Sequence, residues 1–214
     1  MSALIEFDIN NKKARFLIGT DEAGRGPAAG DVYAAAVCFL NPPVGVLDML
    51  NDSKKLSEKK REILYEEIMR NSVYSIAKSS VEQINNTNIL AASLDAMKRA
   101  CDDVICQLKS LDVEVFVDGN KLIRNFEHPQ KYIIKGDAQS ASIAAASILA
   151  KVSRDRAMLE LDKEFPQYCW ASNKGYLSKA HIDAIKCFGV TKYHRKLFVR
   201  NVLNEQKLEQ LSLI

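Results

Sequence analysis

Cysteine and histidine are scarce in this sequence. Its five cysteines, at 38, 101, 106, 169 and 187, are odd in number and contain no Cys-x-x-Cys pair. That excludes a zinc ribbon and gives no basis for a disulfide framework. Reduced, mostly buried thiols in a cytoplasmic protein are the expectation. Only three histidines occur, and His128 falls in a polar loop. No apolar run approaches the roughly 20 residues of a membrane span. Residues Met1 to Lys13 lack the apolar h-region of a secretory signal, so no membrane association is expected. Internal repeats and low-complexity blocks are missing too. Pro42-Pro43 and Asn51-Asp52-Ser53 mark loops, but neither stretch is long enough to be a linker. An excess of one charge is nearly absent: 30 Lys+Arg against 27 Asp+Glu leave +3.

What remains is an ordinary globular composition. Of 214 residues, 47% are hydrophobic and 27% charged, with a mean hydropathy of −0.15. A chain this long can bury roughly 70% of the surface that its unfolded form exposes. One domain spanning 1–214 is expected.

Periodicity gives a coarse plan. Short apolar runs predict strands at Ala14–Thr20, Val32–Leu40, Val73–Ser79, Val113–Val117 and Lys131–Ile134. Helical spacing predicts helices over Ser57–Arg70 and Thr87–Leu108. In the second, Leu90, Leu94, Met97, Cys101, Val104 and Leu108 share a face. The longest helix, Ala138–Phe165, opens Ala-rich and apolar nearly all round, so it should be buried. Lys179–Phe188 is a shorter helix, with Gly189 placed to end it. Val202–Leu213 has a weaker helical pattern and is expected to pack on the domain. The alternation indicates an α/β fold with a mixed sheet flanked by helices.

Three strands run into carboxylates. Phe16–Thr20 leads to Asp21 and Glu22, Val115–Val117 to Asp118, and Tyr132–Gly136 to Asp137. Ligands in open α/β sheets gather beyond the carboxyl ends of strands. Were these strands neighbours, four carboxylates would meet and repel one another unless cations neutralised them. Oxygen donors alone suit Mg²⁺ or Mn²⁺ rather than zinc, and such ions usually serve phosphate chemistry. Each acid also has an ordinary reading. Asp118-Gly119-Asn120 makes a turn, Asp137 can cap the following helix, and Asp21-Glu22 precede a glycine turn. In that turn Gly24 and Gly26 flank Arg25, a loop whose amides and guanidinium can hold phosphate.

These residues resemble a known family. Asp21-Glu22-Ala23-Gly24-Arg25-Gly26-Pro27, with Ala34-Ala35-Ala36-Val37 after it, is similar to the opening motif of ribonuclease HII. Further similarities follow in order at Asp52-Ser53-Lys54-Lys55-Leu56, Val117-Asp118-Gly119, Lys135-Gly136-Asp137 and Ser142–Asp155. The last are Lys174-Gly175-Tyr176 with His181, Gly189 and His194-Arg195. Gly-Arg-Gly, where the sister type HIII carries Gly-Lys-Gly, favours HII. Asp31, Leu177-Ser178, Leu197 and Arg200 depart from the family pattern.

The resemblance implies a ribonuclease H-like fold and a monomer. It also implies hydrolysis of the RNA strand of RNA/DNA hybrids and cleavage 5′ to single ribonucleotides in duplex DNA, leaving 3′-hydroxyl and 5′-phosphate ends. Asp21, Glu22, Asp118 and Asp137 would hold two Mg²⁺ or Mn²⁺ ions. One ion would activate water and the other would stabilise the leaving oxygen. Gly24, Arg25 and Gly26 would contact the ribose 2′-hydroxyl and flanking phosphates. Lys54 would meet a phosphate, and Tyr176 would pack on the sugar at the RNA–DNA junction. Asp155, four residues after Lys151, reads as an ion pair rather than a ligand. The alternatives are another ribonuclease H-like nuclease that cuts plain DNA, and a binding module without catalysis. Charge is also divided along the chain: residues 1–164 carry a net −2 and residues 165–214 a net +5. The cationic C-terminal helical part, about 165–214, is where a duplex backbone would be held.

Overall fold

A computed structural model describes residues 2–41, 50 and 56–211, with side chains described as far as residue 204. Lys54 and most of the Asp52–Leu56 motif lie outside the described residues. Five strands form one sheet in the order β3-β2-β1-β4-β5. They are β1 (Phe16–Ala23), β2 (Val32–Cys38), β3 (Val73–Ser79), β4 (Val113–Asp118) and β5 (Gln130–Ile133). β1 pairs antiparallel with β2, and β2 with β3. β1, β4 and β5 run parallel, with Thr20 opposite Val117 and Asp118 opposite Ile133. This is the expected mixed sheet, and the three strands that lead into acids are adjacent.

Helices cover both faces. α4 (Ile89–Leu108) lays Leu94, Met97, Cys101 and Val104 against Ile18, Ala34, Ala36 and Val115. On the other face α5 (Ala141–Glu164) packs with α2 (Glu58–Asn71) around Ala35, Val37, Leu64 and Ile68. Small residues let α5 approach closely. A Cβ at Gly19 of β1 would lie 2.2 Å from the Ser142 backbone, so only glycine fits there. α1 (Ala3–Asn11), which hydropathy did not reveal, holds the start of α5: Asp8 accepts from the Ser142 amide and hydroxyl, each at 2.9 Å.

Beyond α5 the chain forms α6 (Trp170–Asn173), α7 (Lys179–Phe188) and α8 (Lys196–Leu211). These gather around Tyr168, Trp170, Ile185, Val199 and Val202, with Ala28, Ala29 and Met158 as the contact to the rest of the molecule.

Several expectations shift. β1 continues through Asp21 and Glu22 because both pair with β2 opposite Ala35 and Ala34, so these acids lie inside the strand. α5 starts at Ala141, capped by Ser140, because Asp137 sits in a separate 3-10 turn at Gly136–Ala138. α8 begins at Lys196, not Val202. A short α3 (Val81–Asn86) was not foreseen. It opens on a reciprocal Ser80–Gln83 cap. Asp31, one of the departures from the family pattern, binds Lys78 at 2.9 Å and the Val81 amide at 3.0 Å, tying β3 and α3 to β2. Only Cys38 and Cys101 are buried; Cys106, Cys169 and Cys187 are exposed on helix surfaces and turns, contrary to the expectation of mostly buried thiols.

Candidate active site

The parallel pairing of β1 and β4 puts Asp21 and Asp118 side by side, each directly after a paired Thr20 or Val117. Glu22 follows on β1. These three acids line one cavity of about 320 Å³ together with Gly24, Arg25, Gly26 and Tyr176. Ser147, Lys151 and Arg154 of α5 complete it. Asp137 is buried but does not line this cavity. It adjoins it through Gly136, whose amide donates to Asp118 Oδ1 at 2.6 Å. The structure thus gathers seven of the nine residues singled out by sequence, sets Asp137 behind Asp118, and leaves Lys54 undescribed.

Burial pushes the Asp21 carboxyl well above the usual carboxylate range, and the charges of Glu22 and Asp118 push the same way. Glu22 is also raised by burial, with Arg25 opposing and Asp118 adding to the effect. Arg25 reaches Glu22 at 3.1 Å. Lys151 is engaged by Asp155 at 2.5 Å, the ion pair expected from spacing. The acids therefore repel one another, relieved only in part by Arg25 on Glu22, Ser147 on Asp21 and the Gly136 amide on Asp118, and their donors are all oxygen. That chemistry fits a hard divalent cation, which would relieve the repulsion. Among the described residues no group of three His, Cys, Asp or Glu is arranged to hold a metal ion as it stands. Glu22 faces Arg25 and Asp118 faces the Gly136 amide, contacts that an ion would compete with.

The loop after β1 is shaped by two buried arginines. Arg195 gives its guanidinium to the carbonyls of Pro27 at 2.8 Å, Gly30 at 2.7 Å and Arg25 at 3.2 Å. Burial, and then the charge of Arg154, lower its pKa to about 9, which still leaves it charged at neutral pH. Arg154 donates to Ala29 O at 3.1 Å and Lys174 O at 3.0 Å. Gly24 has φ +101, and a Cβ there would fall 2.2 Å from Arg154 Nε. A Cβ at Gly26 would meet the Tyr176 ring at 3.2 Å. The Gly-Arg-Gly spacing thus has a packing cause at both glycines: one lies on a guanidinium, the other under an aromatic ring.

Sequence reasoning missed Ser147, Lys151, Arg154 and Arg195 as parts of this site. The first three had a readable signal, since steps of four and three place them on one face of α5. Arg195 was legible only as part of the His194-Arg195 resemblance; its hold on the loop had no local signal, because its partners are backbone carbonyls about 165 to 170 residues away.

A mixed sheet of this order, with acids gathered at the carboxyl ends of neighbouring parallel strands beside basic side chains, is a ribonuclease H-like fold with a site suited to phosphodiester chemistry. The comparisons narrow the class. The family model described as Ribonuclease HII matches residues 18–202, and the chain belongs to that family; it is a ribonuclease H. It is 45% identical over 205 residues to ribonuclease HII of Wolbachia sp. subsp. Brugia malayi, covering 94% of this chain and 96% of that one. It is 50% identical over 184 residues to that of Pelagibacter ubique, covering 86% and 96%. Among solved structures, ribonuclease H2 from Pyrococcus horikoshii OT3 superposes with a TM-score of 0.70 at 23% identity, over 90% of this chain and 99% of that one. The RNase HII of an Archaeoglobus fulgidus PCNA:RNase HII complex gives 0.66 at 25% identity, over 84% and 93%. Bst-RNase HIII in complex with Mn²⁺ gives 0.70 at 18% identity, over 92% and 72%.

Proposed function

We propose that this ribonuclease H cuts the RNA strand of RNA/DNA hybrids and also cuts 5′ to a single ribonucleotide embedded in duplex DNA, leaving 3′-hydroxyl and 5′-phosphate ends. The observation that carries the reading is the cavity itself. Asp21, Glu22 and Asp118 share it with the Gly24-Arg25-Gly26 loop and Tyr176, so residues suited to metal ions and residues suited to sugar and phosphate line one space.

Asp21, Glu22, Asp118 and Asp137 would hold two Mg²⁺ or Mn²⁺ ions, which when bound supply an activated water and neutralise the leaving 3′ oxygen. The chain's own residues do the rest. Arg25, half exposed at the rim, offers a bidentate donor to a phosphate. The Gly24–Gly26 backbone lies open to the 2′-hydroxyl, the group that tells RNA from DNA. Tyr176, 53% exposed, offers a ring face to the sugar at the junction. Residues 165–214 provide the cationic flank. Lys54 remains a proposed phosphate contact.

The test is cleavage of a DNA duplex carrying one ribonucleotide, with product ends mapped, in Mg²⁺ and in Mn²⁺. A cut 5′ to the ribonucleotide, stopped by EDTA and restored by either ion, is expected. Cutting of plain DNA duplex, or rescue by zinc alone, overturns the reading.

A partner of the kind seen with the Archaeoglobus protein is proposed as well. Residues 210–214 read Gln-Leu-Ser-Leu-Ile, three branched apolar residues interrupted by Ser212 behind a polar one, a pattern suited to an apolar peptide groove. Removing them should abolish co-elution with the PCNA counterpart and leave cleavage of free duplex unchanged. Retained co-elution refutes the partner proposal.

A further inference from the structure

The two buried histidines near the C-terminus take no part in the acid chemistry, yet they form one hydrogen-bonded chain. Thr191 N–H donates to His194 Nδ1 at 2.9 Å. That nitrogen must be an acceptor, so in the neutral ring the proton sits on Nε2. His194 Nε2 lies 3.1 Å from His181 Nε2. Trp170 Nε1–H donates to the same His181 nitrogen at 3.1 Å. His181 Nε2 is therefore the acceptor of both, and its proton sits on Nδ1. From there it donates to the Tyr176 carbonyl at 2.9 Å. Every proton on the path is assigned by a partner of fixed role.

We propose that His181 and His194 are positioning residues for Tyr176: a relay of fixed tautomers that sets the backbone of Tyr176, and so the placement of its ring over Gly26, from inside the fold. The proposal rests on the reading of Tyr176 as the junction-sensing ring.

Geometry at the receiving end supports it. The Tyr176 carbonyl also accepts from Ser178 N–H at 2.8 Å, and the Tyr176 amide donates to Asn173 O at 2.9 Å. Next to it, the Gly175 carbonyl accepts from the Ala28 amide at 2.8 Å and the Ala29 amide at 3.2 Å, so this turn is registered on the loop that carries Gly24 and Gly26. The ring itself stays exposed, with its backbone held and its face free.

The relay works only while both rings are neutral. A proton added to His181 Nε2 would face two N–H donors, from Trp170 and His194. Burial, and then the neighbouring ring, hold the His194 pKa down to about 4; burial lowers His181 too. The groups facing the pair are Tyr168 and Trp170 on one side, and Thr191 from the turn before α8 on the other. The nearest charge in sequence, Arg195, is turned away to backbone carbonyls. No carboxylate is among these contacts.

The test uses the full chain, Mg²⁺ and a DNA duplex carrying one ribonucleotide. His181→Gln places its amide at the Nε2 position and removes the donor to Tyr176. His181→Asn keeps a donor at the Nδ1 position. His181→Gln should raise KM roughly tenfold with kcat within about twofold, the loss of about one hydrogen bond. His181→Asn should stay within about threefold of the parent.

Tyr176→Ala separates the two readings. If Tyr176→Ala cleaves like the parent, the reading of Tyr176 falls and the relay loses its purpose. If Tyr176→Ala is impaired but His181→Gln is not, the relay alone is overturned. A His181→Gln protein with lowered thermal stability and unchanged KM also overturns it, since the pair is then merely structural. Trp170 is the one tryptophan in the sequence and reports directly on the pair. Its emission should hold steady as the pH falls through 6.5, the ordinary histidine value, and change only below it, because burial lowers His181. A transition centred at the ordinary value overturns the fixed-tautomer relay.

Discussion

Gly24 and Gly26 look interchangeable in sequence, and the structure predicts opposite outcomes for replacing each with alanine. At Gly24 the backbone has φ +101, where a side chain is strained, and the new Cβ would fall 2.2 Å from Arg154 Nε. The strained backbone costs roughly 1–3 kcal/mol. Arg154 is 2% exposed and cannot swing into solvent; displacing it also weakens its bonds to Ala29 O and Lys174 O. Each charged hydrogen bond contributes about 1.5–3 kcal/mol. A total loss of about 4 kcal/mol lowers Tm by on the order of 10 °C for a chain of this size.

At Gly26 no such backbone strain applies, and the neighbour at 3.2 Å is the edge of the exposed Tyr176 ring. Alanine also reduces the entropy of the unfolded chain by about 0.4–1 kcal/mol. Gly26→Ala should thus fold within about 1 kcal/mol of the parent. It should instead move the ring by a few tenths of an ångström and slow cleavage at an embedded ribonucleotide roughly 3–10-fold. Thermal unfolding followed by circular dichroism, with single-ribonucleotide cleavage on the same preparations, decides the matter. Equal Tm losses for the two variants refute the packing argument. So does a Gly24→Ala protein within about 2 °C of the parent.

Other outcomes follow from the same geometry. Asp118→Asn should abolish Mg²⁺-dependent cleavage with Tm unchanged or raised, because the amide oxygen still accepts from Gly136 while a repelling charge is gone; near-normal activity counts against the metal site. Arg195→Lys should destabilise by about 3–5 kcal/mol, since one ammonium cannot satisfy the carbonyls of Arg25, Pro27 and Gly30 together; a urea midpoint equal to the parent's would refute this. His194, held to about 4 from 6.5, binds a proton in the unfolded chain but not in the folded one between those values. Its contribution is complete above 6.5 and lost as pH falls towards 4, about 3 kcal/mol in all. The raised carboxyls of Asp8, Asp21 and Glu22 slope the opposite way. The measurement is therefore the parent-minus-His194→Gln difference in urea stability at pH 5 and pH 7, and a difference that does not change with pH refutes it.

The sequence by itself determined the local elements and the residue types that the site draws on. Three strands ending in acids were legible because β-branched runs and the carboxylates that follow them are local signals. The long buried helix was legible from its alanines, and the Asp155–Lys151 pair from helical spacing. The sequence also carried motifs that resemble the family to which the chain belongs. Tertiary structure decided the rest, because its causes are non-local. α1 escaped notice because what holds it to α5 is non-local: Asp8 reaches Ser142, and Ile5 joins the core beneath α5. Asp137 was separated from the cavity wall by a 3-10 turn, set by the Lys135 backbone at φ 56, that periodicity could not see. Arg154 and Arg195, ordinary basic residues in sequence, became the struts of the Gly24–Gly30 loop because each is buried against carbonyls from distant segments. Likewise His181 and His194, thirteen residues apart, acquired defined protons only when folding brought Thr191, Trp170 and Tyr176 to their ring nitrogens. A residue's chemistry can be read from its type, but its protonation and partners are fixed by what the fold places next to it.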